Sequence, residues 1–196
     1  MVRLVVGITG ASGAIYGIRL LEALKKYGVE TYLIMTRWAE ETIRIETDYA
    51  PDYVRSLAYR VLDNNDLGAP VSSGSFRTGG MIIAPCSMKT LAGIATGYTE
   101  NLMVRAADVC LKERRPLLLL TRETPLNMIH LENMLKLSRA GAVIMPPVPA
   151  FYNRPQTIDD LVEHTVGRLL DSVGIANDGL FKRWGSEGGE NGADPA

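Results

Sequence analysis

Apolar residues along the chain come in short continuous runs that alternate with stretches at helical spacing. Val2–Ile8 is a short apolar run that predicts a buried strand. Ala14–Tyr27 places Ile15, Ile18, Leu21 and Leu24 on one helical face, and Gly28 stops it. Glu30–Met35 predicts a second strand, and Trp38–Ile45 a helix. From Thr47 to Phe76 the pattern weakens around Pro51, Pro70 and VSSGSFRTGG. That stretch predicts loop with one short helix and one strand. Met81–Ala84 predicts a strand broken at Pro85. Helices follow at Met88–Ala95 and Val104–Glu113, then a strand at Pro116–Thr121. A helix at Leu126–Ser138, a strand at Ala142–Met145 and a last helix at Ile158–Val173 complete the pattern.

Strands alternating with helices predict an α/β fold with a doubly wound parallel sheet in three layers, α/β/α. Ligands of such sheets sit beyond the carboxyl ends of the strands. The tips Thr9–Gly13, Thr36–Arg37, Pro85–Ser87, Arg122–Glu123 and Pro146–Tyr152 are therefore expected to converge on one site. Residues 1–185 are expected to form one domain. The Gly-rich acidic stretch 186–196 is expected to be a disordered tail.

The 196 residues suffice for one domain with a proper core. A net charge of −1 supplies no global field that would draw nucleic acid or anionic lipid. Only two cysteines occur, both in apolar settings, which argues against a disulfide framework. The sequence lacks both a secretory leader pattern and an apolar run of membrane-spanning length. Together these features predict a soluble cytoplasmic protein.

Candidate chemistry begins at the first strand's end. The stretch GITGASG carries Gly7, Gly10 and Gly13 before a helix, where bare backbone N–H groups bind anions. Gly10, Ala11, Ser12 and Gly13 are candidates for a phosphate cradle, with Thr36 as a second hydroxyl; a plain tight turn is the alternative. The spacing differs from that of dinucleotide binders, and no acidic residue closes the second strand. A second constellation is cationic. Arg105 and Lys112 share one helix face, Arg122 and Glu123 end a strand, and Tyr152, Arg154 and Arg168 follow. Arg114 and Arg115 read as a solvated helix end. A single arginine is ordinarily a surface charge, but several around one pocket would hold a second phosphate. Glu46 and Glu123 are each either structural carboxylates or proton-handling groups. His130 and His164 lie in separate helices with no metal-ligand spacing, so no metal is expected. Cys86 reads as a small buried residue.

Several long blocks occur in order: GITGASGAIYGIRLLEAL, APCSMKTLAGIATG, RAADVCLKERRPLLLLTRETP, IHLENMLKLSRAGAVIMPPVPAFYNRPQTIDDLV and RWG. Together they make the chain resemble the UbiX flavin prenyltransferases, the B subunits of UbiD-type aromatic acid decarboxylase systems, from about Val2 to Gly185. The resemblance implies a flavodoxin-like, Rossmann-like fold in a homo-oligomer, a dodecamer, with active sites at subunit junctions. It implies reduced FMN as acceptor and dimethylallyl monophosphate as donor, joined at flavin N5 and C6 without metal. The prenylated FMN would pass to a UbiD-type decarboxylase partner.

Matched motif by motif, the resemblance implies that Ser12 and Arg105 hold the FMN phosphate with Thr36, and that Ser87 contacts the flavin. It implies that Lys112, Arg122, Glu123, Tyr152 and Arg168 surround the prenyl phosphate and that Trp184 closes the pocket. It gives Glu46 and Glu123 proton-handling roles, Glu123 toward the leaving phosphate and Glu46 toward flavin C6. Leu67 stands where family members can carry tryptophan. Two other readings compete. One is an FMN-dependent cysteine-conjugate decarboxylase of the phosphopantothenoylcysteine type, which would need an early catalytic histidine; none precedes His130. The other is a non-catalytic flavin carrier, which would not need the second cation set.

Overall fold

The structure, a computed structural model, describes residues 2–177 and 179–185. The expected tail, 186–196, lies outside the described residues. Among the described residues six parallel strands form the sheet: β1 (Arg3–Ile8), β2 (Glu30–Met35), β3 (Arg60–Leu62), β4 (Met81–Cys86), β5 (Leu117–Thr121) and β6 (Val143–Ile144). Their spatial order is β3-β2-β1-β4-β5-β6, so the winding reverses between β1 and β4. The helices are α1 (Ala14–Lys26), α2 (Arg37–Glu46), α3 (Pro51–Leu57), α4 (Met88–Thr96), α5 (Leu102–Lys112), α6 (Met128–Arg139) and α7 (Ile158–Ser172). No helix among the described residues is long and apolar enough to cross a membrane.

Strand periodicity divides the interior in two. Leu4, Val6 and Ile8 of β1 point into one core with Ile18 and Leu21 of α1 and Val166 and Leu169 of α7. Val5 of β1, Ile83 of β4 and Leu119 of β5 point into the other, against Leu91 of α4, Met103 of α5 and Leu137 of α6. Both strand faces are covered, which explains why the strands read as unbroken apolar runs.

The element ends depart from the sequence expectation where distant residues intervene. β4 continues through Pro85 to Cys86 instead of stopping at Ala84. The Ala84–Pro85 peptide is cis, the register with β5 shifts after Ile83, and pairing resumes at Cys86 with Thr121. Proline lacks a ladder donor, and the shift accommodates that. Helix α5 starts at Leu102, two residues early, because Asn101 caps it and Asn64 accepts the Leu102 and Met103 amides at 2.8 and 3.0 Å.

Helix α1 crosses β4 closely at Gly17. A Cβ there would lie 2.4 Å from the Ala84 carbonyl oxygen and 2.9 Å from Ile8 Cδ1. Backbone cannot yield as a side chain can, so Gly17→Ala is expected to cost about 1–3 kcal/mol. Thermal unfolding should show a Tm loss of about 2–4 °C per kcal/mol for a chain of this size. An unchanged Tm would mean that α1 does not sit this close.

Candidate functional site

Strands β1 and β4 end side by side at the point where the winding reverses, the position that leaves a crevice above a parallel sheet. Thr9, 1% exposed, closes that junction. Its hydroxyl donates to the Pro85 carbonyl at 2.7 Å. The same oxygen accepts the Ser87 amide at 3.0 Å and the Ala11 amide at 3.5 Å. The Thr9 amide also donates to Pro85, the Thr36 amide to Ile8, and the Arg122 amide to Cys86. Four of the five expected tips are thus laced together by backbone hydrogen bonds.

Two helices start at this edge with hydroxyl caps. Thr36 Oγ1 accepts the Ala39 amide at 3.1 Å, and Ser87 Oγ accepts the Thr90 amide at 3.3 Å. Gly10 lies under Trp38, where a Cβ would be 2.4 Å from the tryptophan Cβ. The glycine therefore lets the loop pass beneath α2. Burial lifts the Cys86 thiol to about 12, so Cys86 is a packing residue as expected.

Helix α1 starts differently. Gly13, at φ 96, provides no side-chain cap. The Glu46 carboxylate, from the last residue of α2, accepts the Gly13 and Ala14 amides at 2.8 and 3.1 Å. These are the donors that the glycine pattern reserves for a phosphate, and a carboxylate already holds them. An anion reaching them must displace Glu46. The Ser12 hydroxyl has no hydrogen bond among the described residues.

The cationic residues divide. The Arg105 guanidinium is committed to the Ser72 carbonyl at 3.1 Å and to Asp108 at 2.8 Å. Lys112 pairs with Glu113 against Gly74. It lies about 10 Å farther along α5 than Arg105, at the end of the helix that leads into the start of β5. That is the amino edge of the sheet, opposite the tips. Arg115 does not solvate the helix end as expected: it donates to the Gly74 and Phe76 carbonyls and holds that loop in place. Arg122 and Glu123 are exposed at the β5 tip. There Glu123 accepts the neighbouring Thr124 amide at 3.0 Å rather than pairing with Arg122.

Tyr152, Arg168 and Trp184 form a separate cluster on the flank of α7. The Tyr152 hydroxyl meets His164 Nε2 at 2.8 Å. Its ring packs edge-on against Trp184, 5.6 Å between centroids. Arg183 forms a bidentate pair with Asp171 at 2.9 and 2.8 Å, and Arg168 approaches the same carboxylate at 3.6 Å. Phe181 fits against Gly167, where a Cβ would fall 2.3 Å from its ring. A cavity of about 590 Å³ lies beside this clasp, lined by Tyr152, Arg154, Arg183 and Trp184 among others. Arg168 is about 15 Å down α7 from Ile158, and Ile158 borders the cavity at Glu46. The fifth tip thus leads away along α7, so a single chain does not gather Tyr152, Arg168 and Lys112 with the strand tips. The sequence reading contains no Asp171 and names His164 only for metal spacing, because their contacts with Tyr152, Asn177, Phe181 and Arg183 form only in the folded chain.

The chain matches the family model described as Flavoprotein over residues 1–170. It is 59% identical over 174 residues to the probable UbiX-like flavin prenyltransferase of Bacillus subtilis (strain 168), covering 89% of this chain and 85% of that one. A crystal structure of AnUbiX (PadA1) in complex with FMN and dimethylallyl pyrophosphate superposes with a TM-score of 0.91 at 57% identity, over 93% of this chain and 97% of that one. The dodecameric FMN-dependent Ubix-like decarboxylase from Escherichia coli O157:H7 gives 0.90 at 54% identity, over 93% and 98%.

Two predictions follow from the geometry. Thr9→Val, which removes the hydroxyl but keeps the shape, should lower stability by about 1–3 kcal/mol because the Ser87 and Ala11 amides lose their acceptor and the Pro85 carbonyl keeps only the Thr9 amide. Thr9→Ser should restore most of it in a denaturant melt. The clasp should loosen in acid. Burial, then the Arg168 charge, lowers the His164 pKa below its ordinary 6.5, so the unfolded chain takes up that proton first as pH falls below 6.5. Arg183 and Asn177 hold the Asp171 carboxyl below its ordinary 3.8, so its contribution persists above 3.8 and is lost as pH falls through the lowered value. Trp184 fluorescence in a Trp38→Phe background should report loss in that order; a clasp tightening below pH 6.5 would contradict the assignment.

Proposed function

Because the chain belongs to the Flavoprotein family, and within it to the UbiX-like flavin prenyltransferases, we propose that it joins a dimethylallyl group from dimethylallyl monophosphate to reduced FMN. The observation that carries this reading is the likeness, at 57% identity, to a structure holding both FMN and dimethylallyl pyrophosphate. The product is the prenylated FMN that a UbiD-type decarboxylase consumes. The acting unit is residues 1–185, in the cytoplasm.

The strand tips suit FMN. The loop passes close beneath Trp38 at Gly10, the Ser12 hydroxyl is without a partner among the described residues, and Thr36 and Ser87 begin helices at the same edge. Gly10, Ala11, Ser12, Gly13, Thr36 and Ser87 would line the acceptor. Arg105 would reach its phosphate by leaving Asp108. When bound, reduced FMN supplies the nucleophilic N5 and C6. Glu46, fixed on the α1 amides beside Ser12, is the candidate base for the C6 proton.

The donor's allylic C–O bond breaks with charge separation, which fixed cations around the leaving phosphate favour. Arg122, Lys112, Tyr152 and Arg168 are the proposed anion holders. Glu123 is the proposed acid that protonates the leaving group, and Trp184 the residue that excludes water. These side chains occupy separate faces of one chain, so copies must combine to complete a site. The protein is accordingly a homo-oligomer, and the dodecameric relative supports an assembly of that size. Exposed Met128, Ile129, Leu131 and Leu135 give α6 an apolar outer face suited to burial between copies.

The test is to mix purified protein with reduced FMN and dimethylallyl monophosphate and follow the flavin by mass spectrometry. A gain of one five-carbon unit is expected; unmodified flavin would favour a carrier. Glu123→Gln should keep FMN affinity and lower the prenylation rate about 10²–10⁴-fold, the usual worth of a general acid. Normal turnover by this variant would remove Glu123 from the role.

A further inference from the structure

Tyr152 belongs to a segment without regular secondary structure, 45% exposed, yet its ring is held from two sides. Trp184 packs edge-on against one side. On the other, His164 approaches ring to ring, with centroids 5.5 Å apart and planes at 77°, and meets the hydroxyl at 2.8 Å. His164 is itself fixed. It projects from the middle of α7, is 8% exposed, and packs edge-on against Phe181 at 4.8 Å. Phe181 in turn sits over the bare Cα of Gly167. The imidazole therefore transmits the rigidity of a helix to a hydroxyl on an irregular segment.

We infer that His164 is a positioning residue for Tyr152, which donates its Nε2 hydrogen to the tyrosine oxygen so that the phenolic hydrogen turns outward to a phosphate. This inference rests on the proposed placement of the prenyl phosphate at Tyr152.

The argument is one of donor count. A neutral imidazole has one N–H, and Tyr152 has one O–H. With hydrogen on Nδ1, His164 accepts from Tyr152, which then offers a phosphate only lone pairs, and those repel it. With hydrogen on Nε2, His164 donates, and the tyrosine hydrogen is free for a charge-assisted bond. A phosphate at Tyr152 therefore selects the second tautomer. Burial and the nearby Arg168 charge both disfavour the doubly protonated ring, so the choice lies between neutral tautomers.

Two measurements test this. First, inorganic phosphate is titrated into the full chain carrying ¹⁵N-histidine, with the His164 signals assigned by their loss in His164→Gln. The Nε2–H tautomer should grow as phosphate binds; unchanged nitrogen shifts during saturable phosphate binding would overturn the inference. Second, steady-state prenylation is compared. His164→Phe, which keeps the ring shape, should raise KM for dimethylallyl monophosphate about tenfold, with kcat and FMN affinity kept. His164→Gln, whose amide can donate, should recover part of that loss. The Tyr152→Phe/His164→Phe pair should be no worse than Tyr152→Phe alone. Additive losses, or an unchanged KM, would sink the inference. Should His164→Phe fail to fold, His164→Leu, which cannot donate, against Tyr152→Phe supplies the same cycle. Wild-type turnover separates the two failures: without it the prenyl-transfer reading falls, whereas the tautomer response needs no turnover.

Discussion

One buried hydroxyl ties the two halves of the winding together. Thr9 ends β1 where the sheet reverses direction, and its oxygen donates to Pro85 while accepting from Ser87 and Ala11. A parallel sheet opens a crevice at this point because neighbouring connections leave toward opposite faces. The crevice keeps its shape only if the two strand ends hold their relative height. Ser87 as the cap of α4, the glycine loop and the Arg122 tip all take their positions from that junction.

The same edge shows how a helix start becomes a chemical site. α2 and α4 satisfy their first amides with their own hydroxyl caps, whereas α1 borrows the Glu46 carboxylate from the end of α2. An unsatisfied helix start attracts anions, and a carboxylate seated there is an anion already in place. Its position is set by two backbone donors rather than by its own flexible side chain. That suits a group that must hold or take a proton at a fixed point.

The cations follow a different logic. Arg105, Lys112 and Arg168 all have acidic neighbours within the chain, Asp108, Glu113 and Asp171. These pairs are partly exposed and individually weak, so an incoming phosphate can compete for the basic partner. Their dispersion over the sheet's two edges and the α7 flank makes self-association a chemical requirement of the proposed reaction. A site finished by neighbouring copies also excludes water, which a cationic prenyl fragment requires.

Local pattern carried the architecture. The unbroken apolar runs and the glycine stop after α1 were legible in the residues, and the strand-tip rule brought Thr9, Thr36, Ser87 and Arg122 to one edge. Long ordered motifs made the family legible as well. Three things became visible only in the folded chain: the seat of Glu46 on α1, the separation of Lys112 from the tips, and the bond between Tyr152 and His164. Each joins residues or edges whose relation no local periodicity encodes: 32 and 33 residues separate Glu46 from its donors, and Lys112 lies at the far end of a helix whose direction only the sheet reveals. Short-range steric and hydrogen-bonding preferences act through neighbours in sequence, so they determined the elements. Partnerships between polar groups of different segments depend on how whole helices dock, so tertiary packing decided them.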